Sequence, residues 1–223
     1  MNKDKREEIL KDPIRQKLIS GVEKIIQNYQ NILIGFGLLA LIMVLMHFSD
    51  IANKESVLEA NTQFAKSQNL FINGQIDLVK NEFENIYDSY DGEVAANLSG
   101  LYLASQAYVE GDFDIAIDYL NQIKELIQID PIQSNIYAML ASINMNRHEY
   151  KEALNNYSTA KNITLFSDFK IKFEIGEILA LQAMDNHHKA IDISNGILDN
   201  DELKYSFKNT VEELLAFSKQ KTM

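Results

Sequence analysis

The sequence predicts an all-α protein: a single transmembrane helix, then an α-solenoid of paired helices closed by a capping helix. Three observations predict it. Ile32 to Phe48 is an uncharged apolar run, and beyond it a short pattern returns every 37 residues. Between the repeats, Asn73-Gly74, Asp91-Gly92, Glu110-Gly111 and Asp130-Pro131 punctuate segments with helical rather than alternating apolar spacing. The 223 residues allow one ordinary domain of up to about 200 residues plus an appendage. A hydrophobic content of 46% with two prolines and nine glycines suffices for a core and excludes low-complexity architectures. A net charge of −11 repels phosphate backbones and argues against nucleic acid as a partner. The absence of cysteine excludes disulfides, thiolate metal sites and cysteine nucleophiles.

Three segments follow in order. Residues 1–30 form an expected cytoplasmic tail in which Ile14, Leu18, Val22, Ile25 and Tyr29 fall at the three- to four-residue spacing of an amphipathic helix lying on the membrane surface. Residues 31–49 are the expected transmembrane helix. Ile32 to Phe48 spans about 25 Å at the helical rise, and Tyr29 to Asn31 extend it toward the roughly 30 Å of a bilayer core. A cleaved leader fits worse, because some thirty residues precede the run and His47-Phe48-Ser49-Asp50-Ile51 offers no small-x-small cleavage site. Orientation follows from the flanks: seven of the 21 basic residues precede residue 32, whereas Lys54 stands alone among the first sixteen residues after Phe48. Basic flanks stay inside. Residues 50–223 are therefore expected to form a periplasmic repeat domain at a bacterial inner membrane, with the acidic excess beyond the span.

The repetition sets the fold of that domain. Gly74-Gln75-Ile76-Asp77-Leu78-Val79 aligns with Gly111-Asp112-Phe113-Asp114-Ile115-Ala116, with His148-Glu149-Tyr150-Lys151-Glu152-Ala153 and with Asp185-Asn186-His187-His188-Lys189-Ala190. Val79, Ala116, Ala153 and Ala190 share one slot. Ile76, Phe113, Tyr150 and His187 share another, and Phe83, Leu120, Tyr157 and the outlier Ser194 a third. Ala104 and Ala141, preceded by Leu103 and Leu140, stand twelve residues before their repeat alanines. This pattern resembles the tetratricopeptide repeat, in which small residues let two helix backbones approach and an aromatic wedges the turn. The 37-residue period exceeds the usual 34, which places about three extra residues in the links between helix pairs.

The spacing predicts helices over Ser56–Asn73, Ile76–Tyr90, Ala95–Glu110, Phe113–Ile129, Ser134–Asn146, Tyr150–Lys161, Asp168–Met184, His188–Leu198 and Asp201–Lys219. The first is expected to continue the membrane helix with little or no break. The last sets Leu203, Phe207, Val211, Leu214, Leu215 and Phe217 against Lys204, Lys208, Glu212 and Glu213. That is the one-sided polarity of a solenoid cap.

Chemistry is sparse. No Gly-rich phosphate loop, His-Glu-x-x-His site, Gly-x-Ser-x-Gly elbow or calcium loop occurs. Asp112, Asp114 and Asp118 spread around a helix start, where the dipole favours acids. His187 and His188 point about 100° apart on a helix, and His187 occupies the wedge slot. No catalytic residue, cofactor or metal is expected, and an unrecognised hydrolase is the remote alternative. A binding function falls to the first helix of each pair, where two slots are expected to line a groove: Phe64, Leu101, Ala138 and Ile175 in one, Phe71, Tyr108, Met145 and Gln182 in the other. Of these, Phe64, Phe71, Leu101, Tyr108, Met145 and Ile175 are the candidate partner-binding residues, the competing reading being that they pack on the neighbouring helix. Apolar side chains inside an acidic rim suit an extended peptide chain.

A basic tail, one uncleaved span, the polar run Asp50 to Ser67, and repeats beginning at Tyr90-Asp91-Gly92-Glu93-Val94-Ala95-Ala96 and continuing Leu101-Tyr102-Leu103-Ala104-Ser105-Gln106-Ala107 together resemble the YfgM-like family, the ancillary subunit of the SecYEG translocon. The resemblance covers residues 20 to 215. It implies a non-catalytic inner-membrane protein whose periplasmic repeats associate with the translocon, with a membrane-anchored periplasmic chaperone of the prolyl isomerase class, and with unfolded clients. The longer tail and longer repeats depart from that family. The alternatives are a scaffold for outer-membrane or cell-wall machinery and a tethering or oligomerisation module.

Overall fold

The structure, a computed structural model, describes the backbone of residues 29–223 and the side chains of Leu41, Met43, Val44 and residues 53–223 apart from 76 and 77. The expected tail helix over residues 14–28 lies outside the described residues. Nine helices and no strand occur among the described residues: α1 (Tyr29–Ile72), α2 (Ile76–Ser89), α3 (Val94–Glu110), α4 (Phe113–Ile123), α5 (Asp130–Asn146), α6 (Tyr150–Ile163), α7 (Ser167–Ala183), α8 (His187–Leu198) and α9 (Tyr205–Lys221). The backbone of residues 31–49 is helical, within α1. Their side chains, apart from Leu41, Met43 and Val44, lie outside the described residues, and among the described residues no helix is long and apolar enough to cross a membrane. The chain divides between Ser56 and Val57, and the helical array is the unit Val57–Met223.

Within the array the first helices are the end of α1, then α3, α5 and α7; the second helices are α2, α4, α6 and α8. The 37-residue register holds at atomic level. Val79, Ala116, Ala153 and Ala190 are all wholly buried at 0% exposure. The first-helix slot of Ala104 and Ala141, extended one repeat each way to Ser67 and Ile178, is buried as well. Ala104 and Ala116 share one core cluster with Leu120, Ile123 and Ile143. On α4, Ala116, Leu120 and Ile123 fall at i, i+4 and i+7, which gives that helix a single apolar stripe. Since no water reaches Ala116, Ala116→Leu is expected to overpack the contact and cost about 1 to 3 kcal/mol. An unchanged midpoint in chemical denaturation would contradict the register.

The backbone repeats with the same period. Gly74, Gly111, His148 and Asp185 open the four turns between first and second helices, and all four have left-handed φ, at 76°, 85°, 62° and 55°. Gly111 does this without steric cost, ending α3 with its N–H turned back to Ala107 and Tyr108. His148 and Asp185 adopt the same geometry at a strain of about 1 to 2 kcal/mol, held there because the flanking helices fix the turn. These turns keep two or three residues, whereas the links between pairs vary from three to six.

Three boundaries differ from the sequence expectation by four residues or more. α4 ends at Ile123 rather than Ile129, because the chain turns there and buries Ile127 from an irregular link. α5 begins at Asp130, not Ser134; Pro131 sits in its first turn, where a missing N–H costs nothing. α9 begins at Tyr205, four residues later than expected, after a turn. Position for position, α9 is a fifth first helix: Leu215 lies 37 residues beyond Ile178 and is buried like it. Val211 of α9, with Phe207 and Leu214 packed beside it, closes the last core cluster against α7 and α8.

Candidate functional site

First helices of adjacent repeats meet side by side. The Phe71 ring of α1 lies edge-on to Tyr102 of α3 at 5.4 Å. Tyr108 of α3 and Ser142 of α5 share a hydrogen bond of 2.8 Å. The Gln182 amide of α7 donates to the Leu214 carbonyl and to Ser218 Oγ of α9, both at 2.8 Å. One slot, occupied by Phe71, Tyr108 and Gln182, thus joins three of the first helices to the next.

The candidate side chains lie on that face at different depths. Phe64 is half-buried, its ring 5.5 Å from Phe83. Leu101 and Tyr108 are half-buried against the core between α3 and α5, and Ile175 against the core beneath α9. Met145 and Ala138 are half-buried, and Phe71 is exposed at 48%. Phe64, Leu101, Tyr108 and Ile175 thus pack against core with part of their surface and leave part of it accessible.

Two strongly exposed residues fall outside the expected slots. Ile72 at 77% and Val109 at 80% exposure stand one position after Phe71 and Tyr108. Their sequence signal is an apolar residue placed next to the turn, where the repeat needs none. The corresponding residues of the third and fourth repeats are Asn146 and Ala183, so at this repeat position a large exposed apolar side chain occurs only at the ends of α1 and α3. The Tyr102 ring, which Phe71 meets edge-on, lies tilted 4.3 Å from Phe83. Its buried hydroxyl has no partner, and burial holds it above the ordinary tyrosine pKa, helped by Glu110. Glu110 is itself 4.0 Å from Lys80 and accepts from Gln106, placing charge at the border of the apolar patch.

Residues with chemical potential elsewhere are engaged in structure. Asp114 pairs with Arg147. His187 is buried in its wedge slot with its ring 5.8 Å from Phe217, whereas His188 is exposed. Among the described residues no cluster of three His, Asp or Glu side chains is placed to hold a metal ion.

The profile of a family described as the tetratricopeptide repeat-like domain matches residues 26–184. No curated protein and no solved structure matches the chain.

Proposed function

Because the chain belongs to the tetratricopeptide repeat-like domain family, we propose that it is a membrane-anchored docking protein whose first-helix face receives protein partners of the export machinery. Domains of this family are typically non-catalytic scaffolds for protein–protein interaction. The observation that carries the reading is the patch of Phe71, Ile72 and Val109 beside Tyr102. Exposed apolar and aromatic side chains on a rigid face supply the anchors from which binding energy comes. Half-buried Leu101 and Tyr108 extend the patch toward the third repeat. Such a patch suits an extended or partly folded polypeptide carrying apolar residues.

Anchoring is supported by the uncharged run Ile32 to Phe48, which lies within the matched region, and by Leu41, Met43 and Val44, each at least half exposed. Apolar side chains presented by such a helix are accommodated by lipid. Basic residues before the run put the amino terminus in the cytoplasm and the array in the periplasm. On this reading the partners are the SecYEG translocon, a membrane-anchored prolyl isomerase-type chaperone and emerging clients. A scaffold of outer-membrane or cell-wall machinery would use the same face and differ in the partner recovered. In spheroplasts, external protease is expected to remove the chain beyond Asp50 while sparing a tag at Met1. Digestion of that tag in intact spheroplasts would end the export reading.

A further inference from the structure

The slot that holds Leu103 and Leu140 in the second and third repeats holds Glu177 in the fourth. Leu103 and Leu140 are buried at 3% and 5% exposure, and Glu177 is buried to the same degree, at 3%. A carboxylate thus occupies a leucine position. Its partner is Lys161 of α6, whose Nζ lies 2.7 Å from Glu177 Oε2. Taking such a pair out of water costs more than packing leucine there, so burial alone does not account for it. Departures from a repeat's own consistency are expected where function demands them.

The pair forms the base of a pocket of about 390 Å³ between α6, α7 and α8. Leu154, Leu181 and Ile193 supply apolar walls, and Lys189 and Asp192 line it from α8. Lys161 keeps 25% of its side chain exposed against 4% for Glu177, so the carboxylate is the more deeply buried member of the pair. Glu174 stands behind, near Lys161 and Lys170, its carboxyl raised above the ordinary range chiefly by burial. The lining therefore carries two cations and two anions around apolar walls. A ligand of net charge leaves one sign uncompensated, and an apolar molecule leaves both unsolvated.

We infer that this pocket binds a small zwitterionic amphiphile, an apolar amino acid or dipeptide held through its free ammonium and carboxylate. The volume falls in the range of small-molecule sites, about 300 to 1,000 Å³. The pocket is formed by α6, α7 and α8, whereas Phe71, Ile72 and Val109 stand on α1 and α3, so this proposal and the docking function stand or fall separately.

Calorimetric titration of the full-length protein with leucyl-leucine tests it. Saturable binding is expected, weakened at least tenfold when both termini are blocked as N-acetyl-leucyl-leucinamide, because groups that lose their ligand partners are left unpaired. Glu177→Leu, which restores the residue of the preceding repeats, is expected to abolish binding without lowering the melting temperature. Asp192→Ala, at an exposed position, is expected to weaken it. No saturable binding at millimolar dipeptide, equal binding of the blocked compound, or unchanged binding by the variants would each overturn the assignment.

Discussion

Truncating Phe83 to alanine is expected to destabilise the array by about 3 to 5 kcal/mol, the range for large aromatic deletions in a core. Phe83 is 2% exposed. Its ring contacts Tyr102 at 4.3 Å and Phe64 at 5.5 Å, so deletion removes two aromatic pairings, each adding about 0.5 to 1.5 kcal/mol beyond area burial. Repeat arrays lose stability locally, because each unit contacts only its neighbours. Hydrogen-exchange protection should therefore collapse in α2 and the end of α1 before it falls in α7 to α9. Tyr102 would lose its support, and Phe71 packs on Tyr102, so partner capture should fall with it. A loss below about 1 kcal/mol would place the ring outside the core. The same slot in the fourth repeat holds Ser194, whose hydroxyl donates back to the Ala190 carbonyl at 2.7 Å, so that slot has no ring to lose there.

Breaking the buried pair from its two sides should give opposite results. Lys161→Met leaves Glu177 uncompensated in the core and is expected to cost about 3 to 5 kcal/mol. Glu177→Leu removes the buried charge, leaves Lys161 free to reach solvent, and is expected to be neutral or to stabilise by about 1 to 4 kcal/mol. The 25% exposure of Lys161 against 4% for Glu177 makes the asymmetry: one survivor can reach water, the other cannot. Urea denaturation of both variants measures it. Equal destabilisation would mean that the pair contributes net stability and that the slot does not accept leucine.

Much of this fold was legible in spacing alone. Val79, Ala116, Ala153 and Ala190 announce the helix contacts because a slot that must admit a neighbouring backbone accepts only small residues. Turn geometry at His148 and Asp185 was legible only through alignment with Gly74 and Gly111, since neither residue type demands a left-handed φ. The end of α4 was hidden because Leu126, Ile127 and Ile129 carry the apolar pattern past the point where the helix stops. Packing against α5, not local propensity, decides it. On the candidate face, spacing set the slots from Phe64 to Ile175 but not the depth of each side chain, because burial depends on how closely successive first helices approach. Ile72 and Val109 lie one residue off those slots. Glu177 was available from Leu103 and Leu140 by counting 37 residues onward, yet its burial is a property of α6 and α8 closing over it.

The docking account rests on which face of the array touches a protein partner, and site-specific photocrosslinking in native membranes measures that directly. A photoreactive amino acid at Phe71, on the exposed first-helix face, is expected to yield adducts containing a translocon subunit or the anchored prolyl isomerase. The same group at Lys151, exposed on the second helix α6, is expected to yield none of these. Adducts from Lys151 without any from Phe71, or adducts from Phe71 only with further copies of this chain, would contradict the account.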